Sequence, residues 1–316
     1  CLLYSSYGIS KPSDGQNMKA IVTGSSGFIG SRLCYFLRQQ GHGVIKVSRT
    51  AKLNSKTDLI CDLETNKLND GTMSGVNTIF HLAGYSHDLS NPEKSRKKYV
   101  KLNIDATKNL AIQASKEGVK TFIFVSSVKA GSSDATRDDS EEKPEGIYGE
   151  TKRKAELELI ELSKHTDMKI FIIRPSLVYG PEIKGNLLSM KRAIQAGWFP
   201  PLPKIKNARS MIHVDDLVRA ILLVKEKGID GEIYNVTDGK DYSTTEIYET
   251  FYELIKKDPP KLRLPLFVLN FLSFIPGKIN QTVSKLVGDE RYSSSKIKSL
   301  GFSAKLRFRD LNETLF

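Results

Sequence analysis

From residue 18 onward, short apolar runs alternate with longer stretches whose apolar positions recur at helical spacing. Ala20–Thr23 reads as a short buried strand and Phe28–Gln39 as an amphipathic helix closed by Gly41. Strands follow at Val44–Val47, Leu59–Cys61 and Thr78–Leu82, then one long helix from Glu93 to Lys116, stopped by Gly118. Thr121–Val125 is a strongly apolar strand, Tyr148–Ser163 a charged amphipathic helix, and Ile170–Ile173 a further core strand. Strand and helix in alternation predict an α/β fold, a doubly wound parallel sheet with helices on both faces.

After Arg174–Pro175 the rhythm changes. Prolines gather at Pro181, Pro200, Pro201 and Pro203, and one helix, Leu187–Ala196, stands among short elements. This predicts a smaller mixed α/β C-terminal domain. Met211–Val214, a helix through Lys225 and Glu232–Val236 are expected to return to the main sheet. The expected domains are therefore 18–180 and 181–316, with segments near 209–240 rejoining the first. Residues 1–17 show no hydrophobic period and are rich in Ser and Gly, so they are expected to be an extension outside the fold.

Composition narrows the class. A chain of 316 residues with 39% hydrophobic content can bury one large α/β unit or two closely joined domains. Cys1, Cys34 and Cys61 lack metal-ligand spacing, and so sparse a set fits a reducing, cytoplasmic location and no metal. The longest apolar stretch, Leu264–Pro276, is interrupted by Asn270 and Ser273 and is too short to span a bilayer, which takes about 20 residues. It is expected to be a docked C-terminal helix. The net charge of +12 comes from scattered lysines without a nucleic-acid reader motif, so it is read as a solvated surface that favours anionic small substrates over nucleic acid or membrane.

Thr23-Gly24-Ser25-Ser26-Gly27-Phe28-Ile29-Gly30 lies between the first strand and the first helix. Gly24 can make the tight turn, Gly27 lets the backbone approach a pyrophosphate, and Gly30 lets helix pack closely on strand. That context makes the loop a dinucleotide site in a Rossmann-type domain. The second strand ends in Val47-Ser48-Arg49, with no carboxylate for an adenosine ribose. Arg49 could pair with a 2′-phosphate, which tilts the expected cofactor, NAD(P), toward NADP. Asp62-Leu63, after the third strand, is placed to meet the adenine or to act as a simple turn acid.

Tyr148 and Lys152 stand four residues apart at the start of a helix and so share one face. A tyrosine serves as a general acid/base only if its pKa is lowered, which a neighbouring ammonium and an oxidised nicotinamide can do. Phe122–Ser127, FIFVSS, ends the preceding strand where such sheets bind ligands, and Ser127 can hydrogen-bond a reacting oxygen.

With these motifs in place the chain resembles the extended short-chain dehydrogenase/reductase family, in particular its nucleotide-sugar epimerases, dehydratases and reductases. The blocks that carry the resemblance are TGSSGFIG (23–30), HLAG (81–84), NIDATKNL (103–110), FVSSVKAG (124–131), YGETKRKAE (148–156), RPSLVYGP (174–181) and RSMIHVDDLVRA (209–220). The resemblance implies Ser127, Tyr148 and Lys152 as the catalytic set, with Ser126 beside the cofactor. It implies that Leu82, Ala83 and Gly84 lie near the cofactor, that Asn103 lies at the active-site floor, and that Pro175 and Leu177 line the nicotinamide. Asn186 and Arg209 would meet a UDP-sugar diphosphate and Leu202 would cover the uracil, with His87 on the substrate side and Arg291 a second diphosphate candidate. Val128-Lys129 stand where a 4,6-dehydratase of the family carries an Asp-Glu pair, which argues against dehydration.

The expected activity is thus 4-epimerisation or 4-ketoreduction of a UDP-hexose or UDP-N-acetylhexosamine for surface polysaccharides. The expected assembly is a homodimer through the 93–116 and 148–163 helices. Two rival readings are a reductase of a non-nucleotide ketone and a catalytically silent NADP-sensing module. The diphosphate pattern disfavours the first, and the intact tyrosine and lysine disfavour the second.

Overall fold

The computed structural model describes residues 17–49, 58–65, 67–86, 92–131, 143–274 and 278–311. The expectation for residues 1–17 falls almost wholly outside them, as do those for Cys1 and His87. The chain forms two compact units. The first holds the residues up to Gly131, Lys143–Arg174 and Val218–Tyr234, and the second holds Pro175–Leu217 and the residues from Asn235 on.

The first unit opens with β1 (Lys19–Thr23), α1 (Phe28–Gln39), β2 (Gly43–Ser48), β3 (Asp58–Ile60) and β4 (Thr78–His81). It continues through α2 (Pro92–Tyr99), α3 (Ala106–Lys116), β5 (Thr121–Val125), α4 (Gly146–Ser163) and β6 (Lys169–Pro175). After the excursion into the second unit the chain returns through most of α6 (Val214–Lys227) and the start of β9 (Ile233–Val236). The strands form one seven-stranded sheet in the order β3-β2-β1-β4-β5-β6-β9. Every pairing from β3 to β6 is parallel. Strands covered on both faces bury nearly every side chain, and β4, β5 and β6 do so. Ile79, Phe122, Phe124, Leu110, Leu159 and Ile172 belong to one apolar cluster of this unit. Thr23 pairs with His81, His81 with Phe124 and Phe124 with Ile172, so the carboxyl ends of four strands lie level. Strand order reverses at β1, where doubly wound sheets open a crevice for a ligand.

The expected single helix over 93–116 has a different interior. Val100–Asp105, between α2 and α3, is π-helical. So short a change of winding inside a long helix is too brief for the overall helical period to mark.

The second unit contains β7 (Leu177–Tyr179), α5 (Gly185–Gln195), β8 (Arg209–His213), β10 (Asp241–Tyr242), α7 (Thr244–Leu254), α8 (Leu266–Ser273), α9 (Lys278–Val287) and α10 (Ser295–Ser299). β8 pairs with β7 in parallel and with β10 antiparallel, forming a three-stranded sheet. This corrects the expectation that Met211–Val214 rejoins the main sheet; only Glu232–Val236 supplies a strand there. An apolar run specifies a strand but not its partner, and β9 takes the place beside β6. The core of this unit includes Tyr179, Leu187, Met211, Tyr242, Phe251 and Phe308. α7 starts on a capping box, in which the Ser243 hydroxyl accepts from the Glu246 N–H and the Glu246 carboxylate accepts from the Ser243 N–H.

The docked helix expected across Leu264–Pro276 is only partly docked. Leu269 is buried with Ile205 and Val283, while Leu266, Phe267, Phe271 and Phe274 are exposed. No helix among the described residues is long and apolar enough to cross a membrane.

Candidate active site

Thr23 ends β1, and the chain turns at Gly24, whose φ is +64°. That left-handed turn suits glycine. A Cβ there would also stand 2.7 Å from the Ala83 nitrogen and 2.8 Å from the Leu82 carbonyl. The Gly27 N–H donates to the Gly24 carbonyl at 2.9 Å, and a Cβ on Gly30 would collide with that same carbonyl. Phe28 and Ile29 open α1, which has no side-chain cap and no acid in its first turn. Its positive end is thus unopposed beside a loop of bare backbone, a cradle that fits a dinucleotide pyrophosphate. The Ser25 hydroxyl ties the loop to the Val47 carbonyl at the end of β2. Arg49 is exposed just beyond. Asp62 accepts the Glu64 N–H at 3.0 Å, the turn-acid role, and Leu63 packs against the core.

His81, at the end of β4, is fully buried. One ring nitrogen meets the Thr23 hydroxyl at 2.7 Å and the other meets the Thr107 hydroxyl at 2.9 Å. Burial first, then the nearby Lys152 charge, pushes its pKa down to about 3, so the ring is neutral. The Ala83 N–H donates to the Thr23 hydroxyl at 3.2 Å and the Leu82 N–H to the Thr23 carbonyl at 3.3 Å. The Leu82–Gly84 segment is therefore fixed to the glycine loop. Asn103, in the π-helical turn, fixes it from the other side: its amide oxygen accepts the Tyr85 N–H at 2.7 Å, and its NH₂ donates to the Tyr85 carbonyl and the Thr151 hydroxyl. A Cβ on Gly84 would stand 3.1 Å from the Lys152 ammonium nitrogen and 3.2 Å from the Asn103 oxygen, so Gly84 lies directly over both.

Ser126 and Ser127 leave the end of β5. Ser127 caps the short turn Val128–Ala130, its hydroxyl oxygen accepting the Lys129 N–H at 3.2 Å. That turn packs on α4: the Lys129 carbonyl accepts the Glu145 N–H, and Gly149 leaves room for it. Tyr148, half-buried in the first turn of α4, hydrogen-bonds Ser127. Burial pushes the phenol up to about 12, the Ser127 hydrogen bond opposes this, and Tyr99 adds to the rise. Lys152 is buried, donates to the Val125 carbonyl at 3.1 Å and lies 4.5 Å over the Phe124 ring. Burial lowers it to about 8, against the opposing pull of Glu156. The protein alone therefore raises the tyrosine, where the expectation was that its neighbours lower it.

A buried polar cluster supports this set from beneath. Ser126 donates to the fully buried Glu156 at 2.5 Å, and Arg174 grips the same carboxylate at 2.8 and 2.5 Å. Both residues stand in the motifs that carried the resemblance, but their pairing across the sheet leaves no local signal.

The other expected site residues lie at or beyond the end of β6. Pro175 is buried and Leu177 half-buried in β7. Asn186 is exposed in the first turn of α5, while Leu202 is buried in the second unit's core rather than presented at a surface. Arg209 opens β8, and two nitrogens of its guanidinium, Nε and one Nη, are buried without a hydrogen-bond partner. Arg291 is exposed, 3.7 Å from Asp241.

Residues 20–237 match the model of the NAD dependent epimerase/dehydratase family. Over 279 residues the chain is 30% identical to a UDP-glucose 4-epimerase of Vibrio cholerae, covering 85% of each. It is 26% identical to the N-acetyl-alpha-D-glucosaminyl-diphospho-ditrans,octacis-undecaprenol 4-epimerase of Escherichia coli O157:H7, covering 91% of each. Among solved structures, the UDP-glucuronic acid 4-epimerase of Bacillus cereus in complex with NAD superposes with a TM-score of 0.76 at 22% identity, covering 94% of this chain and 97% of that one.

Proposed function

The chain belongs to the NAD dependent epimerase/dehydratase family, an enzyme of the extended short-chain dehydrogenase/reductase type, and we propose that it is a 4-epimerase of a UDP-hexose or UDP-N-acetylhexosamine. The observation that carries the reading is the Ser127–Tyr148–Lys152 set, assembled at the end of β5 beside the glycine loop. When bound, the nicotinamide supplies the hydride acceptor and donor together with a positive charge in its oxidised form. Tyr148, as phenolate, takes the proton of the sugar 4-hydroxyl and later returns it to the same oxygen. Ser127 donates a hydrogen bond to that oxygen. Lys152 holds the ribose hydroxyls and favours the phenolate. Between the two transfers the keto-sugar turns over and is reduced on its other face; a 4-ketoreductase would use the same groups once.

The partnerless Arg209 nitrogens support an anionic diphosphate, since a guanidinium matches phosphate oxygens. Asn186 and Arg291 are the further candidates for it. Arg49, with no carboxylate at the end of β2, supports NADP over NAD. The relatives' names support a role in supplying activated sugars for surface polysaccharides. Exposed Leu157 and half-buried Ile104 support a homodimer through α2, α3 and α4, whereas Ile160 packs partly on the core.

The decisive experiment incubates the protein with a panel of UDP-sugars, with and without NADPH, and follows the products by mass spectrometry and chromatography. Interconversion of a C4-epimer pair without added reductant is the expected result. Turnover of a ketone only with NADPH would replace epimerisation by 4-ketoreduction. No turnover of any nucleotide sugar would sink the reading.

A further inference from the structure

We propose that α8 and the loop bearing Trp198 form a docking face for the surface of an anionic lipid bilayer. Phe267 and Phe271, four residues apart, share one side of α8, and Phe274 follows in the turn that ends it. They are 70%, 69% and 82% exposed. Leu269, on the opposite side, is buried against Ile205 and Val283 and holds the helix down. The stripe therefore points outward as a built feature.

The loop from Trp198 to Pro203 lies beside this segment, because the Leu264 N–H donates to the Pro201 carbonyl at 3.0 Å. Trp198 is 71% exposed, and Leu262 and Leu266 add further exposed apolar surface. Three phenylalanines and a tryptophan amount to several hundred Å², roughly, a patch size that marks an interaction site.

The rim is basic. Residues 256–274 carry Lys256, Lys257, Lys261 and Arg263 against the single acid Asp258, and Arg263 is paired with Glu249. Lys204 and Lys206 are exposed on either side of Ile205, which packs on Leu269, and Lys285 is exposed on α9. Outward aromatic and leucine side chains bordered by lysine are the chemistry of a helix lying in a membrane interface, where anionic headgroups meet the lysines. A second copy fits less well, because a two-fold contact would set this lysine rim against itself.

The full chain contains one tryptophan, so Trp198 reports directly on this face. The test adds vesicles of phosphatidylcholine, alone or mixed with phosphatidylglycerol, and reads co-sedimentation and tryptophan emission. The expected result is pelleting with the anionic vesicles, a blue shift of emission, and weakening of both by salt. The triple variant Phe267→Ser, Phe271→Ser, Phe274→Ser should bind at least about tenfold more weakly while keeping its melting temperature, since only exposed side chains change. Wild-type protein that stays in the supernatant would overturn the proposal, as would a triple variant that pellets equally well. A stripe-dependent dimer in light scattering, without vesicle binding, would assign the face to a second copy instead.

Discussion

At the scale of the residue, the proposed chemistry turns on Tyr148, held in the first turn of α4. Tyr148→Phe removes the proton carrier but keeps the ring, so turnover should fall by about 10²- to 10⁴-fold while nucleotide affinity by calorimetry stays nearly unchanged. Arg49→Asp should shift relative affinity from NADP toward NAD; equal affinities before and after would make Arg49 a bystander. His81 is different. Its place at the end of a strand was visible, but its two threonine partners were not, since Thr23 and Thr107 are distant in sequence. The unfolded chain takes up the proton near 6.5, whereas the fold resists it down to about 3. The stability that His81 supplies is thus fully present above about 6.5 and is lost as pH falls toward about 3, on the order of a few kcal/mol. In thermal melts His81→Gln should be less stable at neutral pH yet flatter across that acid window. An equally steep acid loss in the variant would place the effect elsewhere.

At the scale of the element, strands and helices of the first unit were legible to within a few residues, because buried parallel strands and amphipathic helices have unlike periods. The packing between elements was not legible. The turn after Ser127 and the start of α4 meet where a Cβ on Gly149 would overlap the Lys129 carbonyl oxygen. This close approach joins the serine of one element to the tyrosine of the next. Gly149→Ala should therefore cost about 1–3 kcal/mol, measured by denaturant melts, and lower kcat more than it raises KM. A variant with normal kcat would show that the two elements tolerate separation. The π-helical turn is a second such case, because Asn103 is placed by an extra backbone atom set that no apolar pattern records. The exposed stripe on α8 is a third: apolar composition read as a docked helix, and only the fold reveals which side is covered.

At the scale of the whole molecule, the parallel sheet followed from alternation, and the smaller sheet did not, because the apolar run of β8 suits either one. Assembly is open to a direct check. Leu157→Glu puts a charge on the exposed face of α4, and should convert a dimer in light scattering to a monomer without lowering the melting temperature of the protomer; a wild-type monomer at micromolar concentration would end the dimer model. The path of the chain carries a further consequence. β9 completes the seven-stranded sheet beside β6, yet residues 175–217 of the other unit are translated between them. On the ribosome, β6 thus emerges well before its neighbour exists, and its outer backbone groups wait unpaired while β7, α5 and β8 are made. The sheet of this unit gains its last strand only after residues 175–217 have been made. Its last strand arrives late, so a pause in translation between 175 and 233 leaves the β6 edge of the sheet without its neighbour.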